Sequence, residues 1–310
     1  MAQLVCPERA IQQITDGDRE SRNPSINADG KLIAFQSNTN LTGGNPDESR
    51  EIYLFDSITE IITQITDATG GLSSDPSINA PGTLIAFHSN RNLTGGNPLL
   101  LNQIFLANTV TGTITQITNV TADGARSASI NGDGTRIAFQ SDADINGGNP
   151  DGNQEIYLAD VSSGTIIQIT DTMGGNNTDS SINADGTRIA FESNRNITGG
   201  NPLLLEQIFL AYTTTGTFTQ ITNITSDSVF AASIDGDGTL IAFWSNANIN
   251  GGNPDGNTEI YLADTIAGII TQITNTTTVN NRDPSISKDG LRIAFESSAN
   301  LSGGEPRWKR

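Results

Sequence analysis

The chain predicts a closed β-propeller of six four-stranded blades, and three observations carry that expectation. The 310 residues repeat with a period of 52: Ser-Ile followed by Asn, Asp or Ser recurs at Ser25, Ser77, Ser129, Ser181, Ser233 and Ser285. Within each copy the apolar runs are short, β-branched or aromatic, and bounded by Gly, Asn and Asp, the pattern of strands. The two ends complement each other. The last copy stops at Arg310, where its third strand would begin, and the first residues hold what it lacks.

Each element follows from its residues. The Ser-Ile segment closes the first strand. A turn such as Asp29-Gly30 or Asp185-Gly186 supplies the positive φ that a tight hairpin needs. The second strand is Ile-Ala-Phe-x-Ser, as in Ile33-Ala34-Phe35-Gln36-Ser37. A long Asn/Gly/Pro stretch leads to a third strand, Ile52-Tyr53-Leu54 in the first copy, and a fourth that ends in Gln64-Ile65-Thr66. The runs lack strict alternation, as expected of strands buried on both faces. No 3.6-residue period marks a helix. Leu4-Val5 matches a third strand, and Gln12-Gln13-Ile14-Thr15 matches the fourth-strand sequence Thr63-Gln64-Ile65-Thr66. The expected organisation is one domain, 1–310. Blades one to five start near residues 23, 75, 127, 179 and 231, and blade six combines 283–310 with 1–16. Such closure removes open sheet edges, whereas a solenoid needs capping repeats.

Composition narrows the partners. With 16 basic and 34 acidic side chains the net charge is −18, and charged residues are only 16% of the chain. Nucleic acid and anionic membranes call for clustered Lys and Arg, so neither is an expected partner. No apolar run approaches the ~18–20 residues that span a bilayer. The start, Met1 to Cys6, lacks the basic region and apolar stretch of an export signal. The single cysteine, Cys6, cannot form an internal disulfide and reads as a packing residue.

The segment Pro-Ser-Ile-Asn-Ala-Asp-Gly-x-x-Ile-Ala-Phe-x-Ser, with the later Glu-Ile-Tyr-Leu and Gln-Ile-Thr, resembles the propeller repeat of TolB-like proteins. The resemblance covers nearly the whole chain in six phased copies. It implies the six-bladed fold and a periplasmic or extracellular setting. It leaves the activity open, because such propellers serve as adhesion, docking and scaffold domains and as gates on peptidases. The chain departs from TolB in lacking a separate N-terminal α/β domain and in a longer loop after the second strand.

Strand order places the long loops, those after the second and fourth strands, on one face, where binding residues are commonly carried. That face alternates. Asn-Pro-Asp is followed by polar residues in blades one, three and five, and Asn-Pro-Leu-Leu-Leu occurs in blades two and four, giving Leu99, Leu100, Leu101 and Leu203, Leu204, Leu205. The true unit is then a pair of blades. Leucines in such loops either fold down against the next blade or form a docking or self-association surface. Asp142-x-Asp144-x-Asn146-Gly147, with Asp151, Asn153 and Glu155, starts like a calcium loop, but its twelfth position is Asn153 and not Glu. Turn chemistry accounts for the same residues.

An enzyme has less support. The one histidine, His88, occupies a position held elsewhere by Gln36, Gln140, Glu192, Trp244 and Glu296, and so reads as a variable blade-face site. No nucleophile elbow, phosphate loop or zinc cluster occurs. Asp75, Asp179 and Asp283, just before the first strands, are candidates at the channel mouth for carboxylate acid–base chemistry, or simply turn residues. Asn-x-Thr triplets such as Asn40-Leu41-Thr42 recur with the repeat, and the tail Arg307 to Arg310 reads as a solvated end. The expected function is a non-catalytic binding or scaffold propeller that recognises a protein or glycan through the long-loop face. A structural or engineered propeller without a ligand is the alternative, and a carboxylate-based hydrolase or lyase comes third.

Overall fold

A computed structural model describes residues 13–16, 19–277 and 279–298. Among these there is no helix. Blade one is β1 (Ser21–Ile26), β2 (Leu32–Ser37), β3 (Glu51–Asp56) and β4 (Ile61–Gln64). Blade two is β5 (Ser73–Ile78), β6 (Leu84–Ser89), β7 (Gln103–Asn108) and β8 (Ile114–Gln116). Blade three is β9 (Ala125–Ile130), β10 (Arg136–Ser141), β11 (Glu155–Asp160) and β12 (Ile166–Gln168). Blade four is β13 (Asn177–Ile182), β14 (Arg188–Ser193), β15 (Gln207–Tyr212) and β16 (Thr217–Gln220). Blade five is β17 (Val229–Ile234), β18 (Leu240–Ser245), β19 (Glu259–Asp264) and β20 (Ile269–Gln272). Two further strands, β21 (Asn281–Ile286) and β22 (Ile293–Ser297), form a two-stranded sheet. In each full blade the strands pair antiparallel in chain order.

The described residues therefore hold five complete blades, not the six expected from the sequence. The remaining segments assigned to blade six, Leu4-Val5 and 299–310, lie outside the described residues. Gln13, Ile14 and Thr15 are described but form no strand.

Each residue of the repeated motif has its own task. The Asn after Ser-Ile closes the hairpin: Asn79 Oδ1 accepts the Leu84 N–H at 2.9 Å, and Asn27, Asn131, Asn183 and Asp235 do the same in their blades. The Gly that follows adopts positive φ, as at Gly30 (75°) and Gly186 (73°), where a side chain is disfavoured. The Ser bonds to the next blade. Ser25, Ser77, Ser129, Ser181 and Ser233 each accept the N–H of the motif Ile one repeat later, at 3.1–3.2 Å. One residue past the Asn, backbone bonds run from Ala28 to Ala80, Gly132, Ala184, Gly236 and Lys288, linking consecutive hairpins. In Gln-Ile-Thr, Thr66 Oγ1 accepts the Ile52 N–H at 2.9 Å, a bond repeated at Thr118, Thr170, Thr222 and Thr274.

The core lies between blades. Phe87 and Phe105 stack at 5.8 Å across β6 and β7 and pack, with Ile78 and Ile85, on Ala34 and Ile52 of blade one. The same arrangement recurs at the next three seams. Each buried Ile or Phe contributes about 1.5–3 kcal/mol, so both faces of a blade must be covered. This is why the strands do not alternate. The first copy differs: Ile26 is 57% exposed while Ile78, Ile130, Ile182, Ile234 and Ile286 are buried.

The alternation of blades has a polar cause. The residue that opens the third strand is Glu51, Glu155 or Glu259 in blades one, three and five, and Gln103 or Gln207 in blades two and four; all are buried. Each Gln bonds to its own linker: Gln103 accepts the Val120 N–H at 3.0 Å and donates to the Val120 carbonyl at 2.8 Å. Each Glu needs donors only. Glu155 takes Asn153 Nδ2, the Thr172 N–H and hydroxyl, and Asn177 Nδ2 of the following blade, at 2.7–2.9 Å. Glu259 repeats this with Asn257, Thr276 and Asn281, and also accepts from Thr274. The polar loop residues are thus the donors that a buried carboxylate requires.

Burial pushes the Glu259 carboxyl up, but the bonds from Thr274, Thr276 and Asn257 outweigh it and hold the group below its ordinary value. A lowered folded value stabilises above the unfolded pKa of ~4.3, and the contribution is lost as pH falls through the folded value. Glu259→Gln is expected to cost about 1–3 kcal/mol at pH 7, with the gap from the parent protein closing toward pH 3 in thermal melts.

Candidate functional site

Two regions combine exposed side chains with unusual backbone: the channel mouth and the long-loop face. The first strands stand side by side around the channel axis, and each carries a bulge two residues before its Ser. The bulge residue is left-handed in every copy: Asn23, Asp75, Ser127, Asp179, Ala231 and Asp283, with φ from 49° to 56°. Asn and Asp tolerate that region best. The three aspartates expected at the mouth are therefore bulge residues, and they are near enough to feel one another. Asp179 is pushed up first by its enclosure and then by Asp75 and Asp283.

The sequence reading missed what holds the bulge. In blades one, three and four the second-strand position read as variable reaches the next blade and accepts the bulge N–H. Gln36 takes that of Asp75 at 2.7 Å, Gln140 that of Asp179 at 2.8 Å, and Glu192 that of Ala231. His88 sits there too, buried, with Nδ1 3.5 Å from Asp75 Oδ2, and burial lowers its pKa despite that carboxylate. Trp244 lies between Phe230, at 4.6 Å, and the Arg282 guanidinium, at 5.3 Å. The recurrence of Gln and Glu at this position was the available sign of an acceptor. Glu192 is 2% exposed; burial first, then Asp179, pushes its carboxyl up to about 9. Burial and the nearby Asp179 thus favour its neutral form, tied to the backbone and closed to solvent.

On the long-loop face a buried Asn pins each loop: Asn97 Nδ2 donates to the Leu101 carbonyl and Asn201 Nδ2 to that of Leu205, both at 2.8 Å. Leu101 and Leu205 are half-buried. The other four leucines do not fold down: Leu99, Leu100, Leu203 and Leu204 are 59%, 58%, 60% and 47% exposed. Leu100 and Leu204 are held at φ 54°, where blades three and five place Gly152 and Gly256.

The residues that resembled a calcium loop are spent on turns. Asp142 accepts the Gly124 N–H and pairs with Arg126, Asp144 accepts the Asn149 N–H, and Asn146 donates to the Ile166 carbonyl. Asp151 accepts the Gly174 N–H, while Asn153 and Glu155 bond to each other in the seam. Among the described residues no three or more His, Cys, Asp or Glu side chains are grouped to hold a metal ion.

No sequence-family model matches the chain, and no curated protein matches it in sequence. Solved structures match in shape, and the fold they define is a β-propeller of the TolB-like type. A candidate TolB from Agrobacterium tumefaciens has a TM-score of 0.62 at 17% identity, over 92% of this chain and 93% of that one. TolB from Acinetobacter baumannii has 0.59 at 20% identity over 88% of this chain, which spans only 58% of that protein. An oligogalacturonate lyase from Vibrio parahaemolyticus has 0.62 at 15% identity, over 89% of this chain and 72% of that one. At these identities the likeness is one of fold.

Glu192 gives a test of the channel wall. An acid whose folded pKa is raised contributes fully below ~4.3 and loses that contribution as pH rises through about 9. Glu192→Gln restores the acceptor of blades one and three. It is expected to raise stability by at least about 1 kcal/mol at pH 7.5 and to leave it unchanged near pH 4, read by melts at both pH values.

Proposed function

We propose that the chain is a non-catalytic binding propeller that docks a partner through its long-loop face, with Leu99, Leu100, Leu203 and Leu204 as apolar anchors and the Asp and Asn residues of neighbouring loops as a polar rim. The observation that carries this reading is the backbone at Leu100 and Leu204. A leucine in the left-handed region costs about 1–2 kcal/mol, and the same turn is made with Gly in blades three and five. A strained, exposed leucine that appears twice is not explained by stability. Exposed aliphatic anchors suit an apolar protein surface better than a glycan, which binds by stacking and hydroxyl contacts. The resemblance to TolB-like propellers favours a periplasmic or extracellular setting.

Catalysis by the channel carboxylates is less well supported. Asp75, Asp179 and Asp283 serve the bulges, and Glu192 is closed off from any substrate.

Ring closure belongs to the same proposal. Ile14 packs on Phe35, Tyr53 and Phe55 of blade one, as Ile65 packs on blade two and Ile117 on blade three. The segment around Ile14 thus stands in for the fourth strand of a preceding blade, and segments from both ends complete blade six around β21 and β22.

Leu100→Gly with Leu204→Gly is expected to stabilise the fold by about 1 kcal/mol per site while weakening partner capture at least tenfold. Unchanged capture by this variant, and by one with both triplets replaced by Ser, sinks the anchor assignment. Ile14→Ala is expected to destabilise by about 1–3 kcal/mol in denaturant titrations, and an effect near zero removes the closing role of that segment.

A further inference from the structure

The twin leucine loops are not equivalent, and the difference begins at a buried carboxylate. In blade two Arg91 is consumed by the seam. It is 3% exposed, with Nη1 3.4 Å from Glu51 and Nη2 donating to the Gly71 carbonyl at 2.8 Å. The residues flanking Glu51 are Ser49 and Ser73; Glu51 accepts from Ser49, Thr66 and the Ala68 N–H, and the Arg91 cation stands where its counterparts have two Asn amides. One pair of blades later, the corresponding residues are Asn153 and Asn177, and their amides satisfy Glu155. Arg195, the counterpart of Arg91, is thereby released. It swings outward to the Met173 carbonyl, and among the described residues it has no carboxylate within ion-pair distance.

The released guanidinium borders a cavity of about 490 Å³ between blades three and four. Its walls are Ile169, Ile197, Leu204 and Phe218. Three of these, Ile169, Ile197 and Phe218, are only partly covered by the core they pack against, so apolar surface is left facing the cavity. Met173 stands at the rim, 82% exposed, where the linker between blades one and two has Thr69. The volume falls in the range of small-molecule pockets, which combine apolar walls with few polar groups.

We propose that this cavity binds a small amphipathic carboxylate, its apolar body against Ile169, Ile197, Leu204 and Phe218 and its anionic end on Arg195. Asp171 at the mouth and the net charge of −18 disfavour anions in general, so any preference for a carboxylate must come from Arg195. Leu204 is shared with the docking face, but Arg195 and Phe218 are not, so either assignment can fail alone.

The test is calorimetric titration with octanoate and with 1-octanol, both below their aggregation limits. The parent protein is expected to bind octanoate at least tenfold more tightly than octanol. Arg195→Gln is expected to abolish that preference while keeping octanol binding, and Phe218→Ala to weaken both ligands. Leu100→Ser, in the twin loop, is expected to change neither. Absence of binding by the parent protein, equal affinity for the two ligands, or a preference that survives Arg195→Gln overturns the proposal.

Discussion

The hydroxyl that each motif serine offers to the next blade is the contact on which the other features depend. It fixes the height of one inner strand against its neighbour, and the backbone bond between adjacent hairpins repeats the constraint a few residues away. With that offset set, Ala and Ile on the back of one blade meet the stacked aromatic pair of the next, and the apolar seam closes. The offset also brings Gln36, Gln140 and Glu192 within reach of the following bulge. A shift of one blade along its neighbour would move the aromatic pair off its apolar partners and leave that amide unsatisfied. The channel wall, the pinned loops and the buried carboxylates all inherit their positions from this registration.

Much of the fold was legible because the repeat displays it six times. Ser-Ile-Asn, Asp-Gly and Gln-Ile-Thr each recur at fixed spacing, and each has a local bond that explains its identity. What the sequence hid was contact between copies. Gln36, Gln140 and Glu192 share a position with His88 and Trp244 and look unrelated to them by type; the three acceptors reach across a seam, a contact that no single repeat contains. The exposure of the leucines was undecided for a similar reason. Whether a loop folds down depends on the shape of the neighbouring blade, which the loop's own residues do not encode. Blade six was expected from the complementary ends, and the structure supports only its two inner strands directly. Among the described residues, Ile14 on the blade-one core is the packing contact that speaks for the rest.

The site candidates separate on whether local bonding uses them up. The apparent calcium ligands and the channel aspartates are committed to turns and bulges, so their number overstates their availability. The exposed leucines and Arg195 remain, each released from a structural task by a neighbour that performs it: buried Asn97 and Asn201 hold the loops in place of leucine packing, and Asn153 and Asn177 satisfy Glu155 in place of arginine.

The Glu and Gln that alternate at the third strands have a consequence for how such a chain can grow. Glu155 and Glu259 expect an amide at the head of the following blade, and Asn177 and Asn281 provide it; the linker-bound Gln103 and Gln207 are followed there by Ala125 and Val229. Removing or inserting a single 52-residue copy would set a buried carboxylate against an alkyl side chain. Removing or inserting two keeps every junction matched. The junction chemistry therefore favours adding or removing blades in pairs, and a designer who recombines them inherits the same parity rule.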